Sequence, residues 1–401
     1  MNKKKFPKGI NEVSQRVIKA AEHSEPVVIF GDSDLDGISS VVILQELFEF
    51  LNPLYGGENL SVYFSNREIE GYGLSFSVLE SIKDRAPALL FILDAGISNF
   101  EEIKKAKKMG FEVIVIDHHQ ILKKLPKADL IVDPKQKEES YPFKYFAAAG
   151  LVYKLAQRVL EEKKHPDFLE DRLSELAALA TIADMVPIEE DNEEIINQGL
   201  EALTSTQRTG ILALIQLNDI DINSDQDISQ KIIAPLNTFK IKDHVAESYT
   251  LLTESSFPKA KKLAQKLIRQ TKEKKRAIKM FVNELKEEVE KRDSKKSVIF
   301  KYSKAWNAVY LGIIASKLLN FSKKPVFVCK QGANKECVCS ARLPKPLDGV
   351  RAMEACKKHL ITYGGHAPAC GCRVKEEDLD KFGKCLEKYF KQLKIEINDE
   401  Q

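Results

Sequence analysis

Three aspartates, Asp32, Asp34 and Asp36, stand on alternate positions after the apolar run VVIF (27–30) and Gly31, and directly before Gly37. Carboxylates crowded at the mouth of a strand repel one another, and a buried charge without a partner is costly, so this spacing calls for a cation. A hard divalent ion suits oxygen donors of this kind. Two other readings compete. Asp and Gly are frequent turn residues, which makes a plain surface turn the first rival. D-x-D-x-D-G is also the first half of an EF-hand loop, but the twelfth position counted from Asp32 is Ile43, where that loop needs a bidentate Glu, and VVIF reads as a strand, not a helix. The EF-hand is excluded.

Similar chemistry recurs further along. Asp94 follows the apolar run LLFIL (89–93), Asp117, His118 and His119 follow EVIVI (112–116), and Asp184 closes the Ala/Leu-rich stretch LSELAALATIADMVPI just before Pro187. A solvated loop residue is the competing reading for Asp184. These side chains need elements to carry them. The apolar runs are predicted strands, 129–132 adds a short one, and the intervening segments to about Leu51 and over 99–109 have helical texture. Strands alternating with helices at this pitch predict an α/β fold built on a doubly wound parallel sheet. Ligands of such sheets gather beyond the carboxyl ends of the strands, and three separate runs here deliver Asp and His to that one edge.

Length and composition set the frame. The chain has 401 residues, which predicts two or three domains, and 62 basic against 59 acidic residues leave a net charge of +3, so no overall bias announces nucleic acid. No apolar run reaches the ~18 residues of a membrane span, and the Lys-rich start MNKKKFPKG is followed by no signal-peptide core; the expectation is a cytoplasmic protein without membrane attachment. The seven cysteines all fall between 329 and 385. That clustering argues against a disulfide framework for the whole chain. The pairs Cys337/Cys339 and Cys370/Cys372 are C-x-C, without the C-x-x-C spacing of structural zinc, and read as small strand residues ahead of a metal site.

Between these landmarks, NREIEGYGLS (66–75) carries Arg67, Tyr72 and two glycines, which fits a shaped loop near a phosphate or equally a tight turn before a helix. From 145 the texture is helical through 215; residues 218–230 are a polar interruption. Residues 255–292 show Lys/Glu with apolar positions at helical spacing, a long amphipathic helix suited to connecting two domains. A second α/β texture starts at 297, with strands VIFKY, PVFVCK and ECVCSARL and a helix over 311–319. It ends in YGGHAPACGCRV, where Gly364 and Gly365 let backbone approach a ligand and His366 is the polar group presented. The expected division is a first domain over 1–215, a connecting region with the long helix over 216–296, and a smaller α/β domain over 297–401.

Taken together, Asp34, Asp36, Asp94, His118 and Asp184, with Asp32 and His119 nearby, are carboxylate-rich with imidazole. That mixture suits Mn²⁺ or Mg²⁺ over structural zinc. Five or more donors exceed one tetrahedral site, whereas two ions roughly 3.5–4 Å apart would fit and would serve phosphoryl transfer, with a water of lowered pKa as nucleophile.

The segments GDSDLDGISS, LDAGIS, VIDHHQ and TIADMVPI resemble, in order and spacing, the four motifs of the DHH phosphoesterase superfamily, and YGGHAPACG resembles the glycine-glycine-histidine motif of its associated C-terminal domain, DHHA1. Within the superfamily the chain is most similar to RecJ-type single-strand exonucleases, through EGYGLS, AAAGLVYKLAQ, APLN (234–237), AWNAVYLGIIAS and the SAR of Ser340 to Arg342. The resemblance covers nearly the whole chain. It implies a catalytic DHH domain and a substrate-binding DHHA1 domain. It also implies one metal held by Asp34, a second by Asp36, His118 and Asp184, and Asp94 bridging both. Asp32 and His119 would be further ligands or water-positioning groups. Ser340 and Arg342 would grip a phosphate, Gly364 and Gly365 would lie close to the substrate, and His366 would contact the scissile phosphate. The implied activity is hydrolysis of single-stranded DNA or RNA, expected to run 5′ to 3′, with replication or repair proteins as partners.

The chain departs from the RecJ pattern in three places. N-T-F-K-I-K (237–242) stands where relatives have N-A-A-G-R, leaving Lys240 or Lys242 in place of an arginine, and lysine lacks the bidentate fork. Asn307 replaces a histidine after the tryptophan. Nothing after Val374 is long enough for the oligonucleotide-binding domain of many bacterial members, so the expectation is a compact form, closer to archaeal-type RecJ-like proteins. Two alternatives share the resemblance: a nanoRNase or cyclic-dinucleotide phosphodiesterase, and a replisome scaffold without metals. The scaffold should have lost ligands, but every acidic motif position is filled here.

Overall fold

The computed structural model describes residues 6–57, 59–67, 70–121, 124–238, 240–332 and 335–399, with His366 and 394–399 described by backbone alone. Two compact units divide the chain at Met1–Thr271 and Lys272–Gln401.

In the first unit the strands β1 (Val27–Gly31), β2 (Leu60–Phe64), β3 (Leu89–Leu93), β4 (Glu112–Ile116) and β5 (Leu130–Val132) pair in parallel in the order β2-β1-β3-β4-β5. Every residue of β1 and β3 is buried, which is why these strands read as unbroken apolar runs. Alternate residues serve opposite faces. Val27, Ile29, Phe91 and Ile114 pack with α1 (Ile10–Glu22) and α2 (Leu35–Leu51), whereas Val28, Phe30, Ile92 and Val115 pack with α3 (Phe76–Ile82) and α4 (Phe100–Lys108). The strand order reverses between β1 and β3, and the crevice at such a switch point is where doubly wound sheets bind ligands.

Beyond the sheet follow α5 (Ala148–Leu160), α6 (Asp167–Ala183), α7 (Glu190–Leu203), α8 (Thr209–Asn218), the single turn α9 (Asp225–Asp227), a wide π-type turn over Ile228–Ile233, α10 (Ala234–Leu236), the hairpin β6 (Ile241–Lys242) and β7 (Val245–Ala246), α11 (Glu247–Thr253) and the long α12 (Phe257–Arg292). The region 216–296 is shared between the units. Ile228, Leu236, Leu251 and Leu267 join the first unit's core, while Ile278, Val282, Leu285 and Val289 of α12 join a core of the second. The long helix therefore packs along its length in both units in turn; only its exposed side is a solvated rod.

A buried ion network ties α2 to α6. Arg208, 1 % exposed, donates from Nε to Glu175 at 2.8 Å and from Nη1 to Glu46 at 2.8 Å, and Arg172 donates to the same Glu46 at 2.9 Å. Burial pushes the Glu46 carboxyl up, but the two guanidiniums outweigh it and hold the group below its usual range.

The second unit is a mixed sheet of β8 (Ile299–Ser303), β9 (Val326–Gln331), β10 (Glu336–Arg342), β11 (Thr362–His366) and β12 (Ala369–Lys375), in the order β11-β12-β10-β9-β8. Only the β8–β9 pair is parallel. The helix α13 (Leu311–Ser322) packs with Ile299, Val326 and Val328 on one face. On the other, α14 (Gly349–Ala355) and α15 (Leu379–Asp399) contribute Ala352, Met353, Phe382 and Leu386. The segment YGGHAPACGCRV is thus the β11–β12 hairpin. The C-x-C spacing sends Cys337, Cys339, Cys370 and Cys372 to one face, the core, as period-two alternation requires. Two disulfides, Cys329–Cys339 across neighbouring strands and Cys356–Cys385, close inside this unit, and Cys337, Cys370 and Cys372 are buried thiols. The sequence had given no sign of those pairings, because Cys329 meets Cys339 through strand register. Among the described residues no helix is long and apolar enough to cross a membrane.

Candidate metal centre

The carboxyl ends of β1, β3 and β4 bring together the residues singled out above. Asp34 caps α2 by accepting a hydrogen bond from the Gly37 amide at 3.1 Å. Gly37 is required there: a Cβ would stand 2.4 Å from the Asp32 carbonyl oxygen. Asp36, in the first turn of α2, is 2 % exposed and accepts from the amides of Ala148 and Ala149 at 2.7 and 2.8 Å, where α5 starts. Its ordering therefore comes from a helix start 112 residues away in sequence. Asp94 sits just past β3 with a left-handed φ of 57°, a conformation Asp adopts more readily than most residues and one that is enriched where backbone strain serves a site.

His118, 7 % exposed, lies at the centre. Its Nε2 is 3.3 Å from Asp94 Oδ1, 3.7 Å from Asp36 Oδ2 and 3.8 Å from Asp184 Oδ2. Neither Nε2 nor Asp94 Oδ1 has a hydrogen-bond partner among the described residues. Burial, with His119 adding to it, pushes the His118 imidazole down to about 3, so its neutral ring is available as a donor of electrons to a cation. Burial and then the neighbouring carboxylates push Asp94 and Asp36 well above the usual carboxyl range, and burial with Asp34 lifts Asp184 to about 6. Carboxyls crowded and dehydrated in this way are short of positive charge.

Three overlapping groups each place ligand atoms within 4.8 Å of one another: Asp32, Asp34 and Asp94; Asp36, His118 and Asp184; and Asp94, His118 and His119. Asp94 belongs to two of them and so does His118, the pattern expected when neighbouring ions share donors. The orphaned Asp94 oxygen facing the orphaned His118 nitrogen, in a set of oxygen donors with imidazole, fits Mn²⁺ or Mg²⁺.

Asp32 has a distinct environment. It is fully buried and accepts from Ser65 Oγ at 2.8 Å and from Arg67, whose Nη2 also reaches Asp34 at 2.7 Å. Arg67 thus already supplies Asp32 with a positive partner, which leaves Asp94, Asp36 and Asp184 as the carboxylates most in need of one. The guanidinium stands 5.6 Å over the Tyr72 ring. Tyr72 in turn donates to the Asp94 carbonyl at 2.9 Å and stands 3.0 Å from His119 Nδ1.

Sequence reasoning passed over Asp117 as a site residue. Its buried carboxylate accepts from the amides of Ile97 at 3.0 Å, His118 at 2.7 Å and His119 at 3.1 Å, and binds His119 Nδ1 at 2.7 Å. Burial would raise it, but hydrogen bonding from His119 and the other donors holds it down at about 2. Asp117 is thus the anchor that aims both histidines. Asp133 and Lys135, one strand over, were also missed; Lys135 donates from Nζ to the His118 carbonyl. Both follow β5 at the same carboxyl edge, so the rule that located the other residues would have found them.

In the second unit Arg342 donates to the Ala341 carbonyl at 2.9 Å and to Ser340 Oγ at 3.3 Å. Gly312 at the start of α13 makes room for them: a Cβ there would be 3.0 Å from Arg342 Nη2 and 3.6 Å from Ser340 Oγ. Gly365 has φ of 122° and is replaceable by few residues, while at Gly364 a Cβ would meet nothing within 4 Å. The His366 side chain and Phe239 lie outside what the structure describes. Asn307 accepts from the Val309 amide at 2.9 Å, capping the turn that leads into α13.

A sequence model of the DHH family, N-terminal domain, matches residues 26–181, and one of the DHHA1 domain matches residues 295–392. Residues 26–181 are thus a domain of the DHH family, and residues 295–392 a DHHA1 domain. This DHH protein is 33 % identical over 376 residues to the single-stranded-DNA-specific exonuclease RecJ of Bacillus subtilis, covering 93 % of this chain and 46 % of that protein. RecJ of Haemophilus influenzae is 28 % identical over 404 residues, covering 93 % and 68 %. The chain therefore spans about half the length of the first relative and about two thirds of the second. A structure of exonuclease RecJ bound to manganese superposes with a TM-score of 0.82 at 24 % identity, covering 96 % of this chain and 94 % of that one. RecJ of Thermus thermophilus in complex with Mn²⁺ gives 0.83 at 22 % identity, covering 96 % and 55 %. These likenesses show a shared fold, with the parallel sheet, the long helix and the smaller sheet domain in common.

Proposed function

We propose that this DHH protein is a metal-dependent phosphodiesterase of RecJ type, an exonuclease that hydrolyses single-stranded DNA or RNA from the 5′ end. The observation that carries this reading is the buried pair Asp94 Oδ1 and His118 Nε2, both without hydrogen-bond partners and both shared between overlapping donor groups. The RecJ relatives named above act on single-stranded DNA, and the RecJ structures hold manganese, which supports the same substrate class and ions here.

In this reading Asp34 and Asp94 would hold one ion, and Asp36, His118 and Asp184, with Asp94 again, would hold the second. When bound, two divalent ions supply a water of lowered pKa and neutralise charge developing on the phosphate oxygens. The protein's part is orientation. The Ala148 and Ala149 amides fix the Asp36 carboxylate, Asp117 fixes both histidines, and Arg67 neutralises Asp32 so that its charge does not draw an ion away from the shared site. His119, its side chain 43 % exposed and held by Asp117 and Tyr72, would order the attacking water. Ser340 and Arg342, with the Gly364–Gly365 backbone and His366, hold a phosphate of the strand.

The test is incubation with end-labelled single strands and Mn²⁺. Mononucleotide release from the 5′ end is expected; a folded protein that releases nothing at any Mn²⁺ concentration refutes the reading. Comparing a dinucleotide with a long strand separates it from a dinucleotide-specific phosphodiesterase.

A further inference from the structure

The outward face of the second unit's sheet extends past the residues assigned so far. Residues two apart on a strand share a face, and antiparallel register aligns them into rows. Arg342, Ala369 and His366 form one row across β10, β12 and β11, and Ser340, Gly371 and Gly364 form the next. Val338, Arg373 and Thr362 form a third, which Lys330 of β9 prolongs through its pairing with Val338. Successive rows are two residue rises apart, ~6.7 Å, so Arg373 stands ~13 Å from the Arg342 row. The intervening row is floored by two glycines of the middle and edge strands, leaving a shallow open track between the two guanidiniums.

The exposure pattern agrees. Cys337, Cys339 and Ala341 point into the core, whereas Val338 is 40 % exposed and the Arg373 side chain 46 %. α13 lies over β9 on this face, through Val326 and Val328, and reaches β10 at Ser340 and Arg342, where Gly312 meets both side chains; Val338 and Arg373 stay open beyond it. The track also has an end. One row beyond Arg373, Glu336 pairs with Lys375, and a cavity of about 510 Å³ opens there, lined by Lys335, Glu336, Lys375, Glu376 and Glu377. Three carboxylates against two ammoniums do not favour a phosphate. Arg373 Nη1 is 4.0 Å from Glu336 Oε2, a loose contact that a phosphate would readily replace.

We propose that Arg373, supported by Lys330, is a second phosphate-binding position for a single strand lying along β10 and β12, and that the strand leaves this face at Glu336. The inference rests on the single-strand reading above. It assigns Arg373 to strands long enough to cross the glycine track and excludes it from dinucleotide recognition.

The experiment measures equilibrium binding of the whole chain, in EDTA, to a long single strand and to a dinucleotide over a series of salt concentrations. For single strands the slope of log K against log salt changes by ~0.7 per phosphate contact. Arg373→Gln is expected to flatten the long-strand slope by that amount and to leave the dinucleotide slope as it was, Arg373→Lys to keep the long-strand slope, and Glu336→Gln to tighten long-strand binding. An unchanged long-strand slope in Arg373→Gln overturns the inference, as does an equal loss for the dinucleotide. If the unsubstituted protein binds no single strand, the single-strand reading falls and this inference with it; binding with an unchanged slope overturns this inference alone.

Discussion

His118 Nε2 and Asp94 Oδ1 face each other at 3.3 Å, both buried, and neither has a hydrogen-bond partner among the described residues. With the imidazole neutral, the contact is no ion pair; it is a gap that a cation resolves. Asp94→Asn keeps the shape and suits the left-handed φ of 57°, but lacks the charge. Mn²⁺-dependent cleavage should fall ~10³-fold, since several kcal/mol of charge stabilisation are lost. The metal-free variant should melt higher than the metal-free parent, because a dehydrated carboxylate is gone. An end-labelled strand assay and a thermal melt check both, and full activity would remove Asp94 from the site.

Calorimetric titration of the unsubstituted chain with Mn²⁺ is expected to show two ions per chain, and Asp36→Asn one. Binding to the folded state alone should also raise the melting temperature, by the equivalent of ~2.7 kcal/mol at a hundredfold excess over Kd. A single ion in the parent protein would contradict the shared-donor arrangement.

Arg67 serves Asp32 and Asp34 at once, and Asp32 has no access to water. Arg67→Met should destabilise the metal-free protein by ~3–5 kcal/mol, the usual consequence of stranding one member of a buried pair. Mn²⁺ should restore part of that loss. Chemical denaturation with and without the metal measures it, and equal losses in both conditions would show that Arg67 and the metals do not share these carboxylates.

Arg208 sits between Glu46 on the helix that begins with Asp34 and Asp36 and Glu175 on the helix that ends at Asp184. Arg208→Ala should cost ~3–5 kcal/mol of stability by leaving the buried Glu175 without a guanidinium and Glu46 with Arg172 alone. Adding Glu46→Gln and Glu175→Gln to it should recover most of the loss, as a urea titration of both variants would reveal.

Asp133 is buried, its Oδ2 has no partner among the described residues, and burial raises its carboxyl to about 7. The unfolded chain releases that proton near pH 4. Between about pH 4 and 7 the folded form binds the proton more tightly, so this group's contribution to stability falls as pH rises through that window and is flat above it. Asp133→Asn should therefore match the parent at pH 4 and exceed it by a few kcal/mol at pH 8. Melts at the two pH values decide; a parent-like pH dependence in the variant would be the contrary result.

The sequence made the sheet and the acidic and imidazole groups at its carboxyl edge legible because each is written locally. An apolar run closed by Asp states both a buried strand and what hangs from its end, and this holds for Asp94 and Asp117 at once and for Asp32 after Gly31. What stayed hidden depends on partners far apart in the chain. That Asp36 is fixed by the Ala148 and Ala149 amides, or that Arg67 neutralises Asp32, follows only once loops meet over the sheet. Asp117 was overlooked for a different reason: beside two histidines it passed for part of a motif, whereas its four hydrogen bonds make it the piece that aims them. The division of the connecting region was equally illegible, because an amphipathic helix does not reveal which core its apolar stripe enters at each point.

The alternation of β10 and β12, thiols inward and polar groups outward, gives the molecule a gauge of its own opening. The first unit contains no cysteine, and Cys337, Cys370 and Cys372 are free and buried in the second. Alkylation of those three sulfurs can proceed only when that sheet breathes, so its rate is a clock for the second unit's local unfolding that is blind to the first.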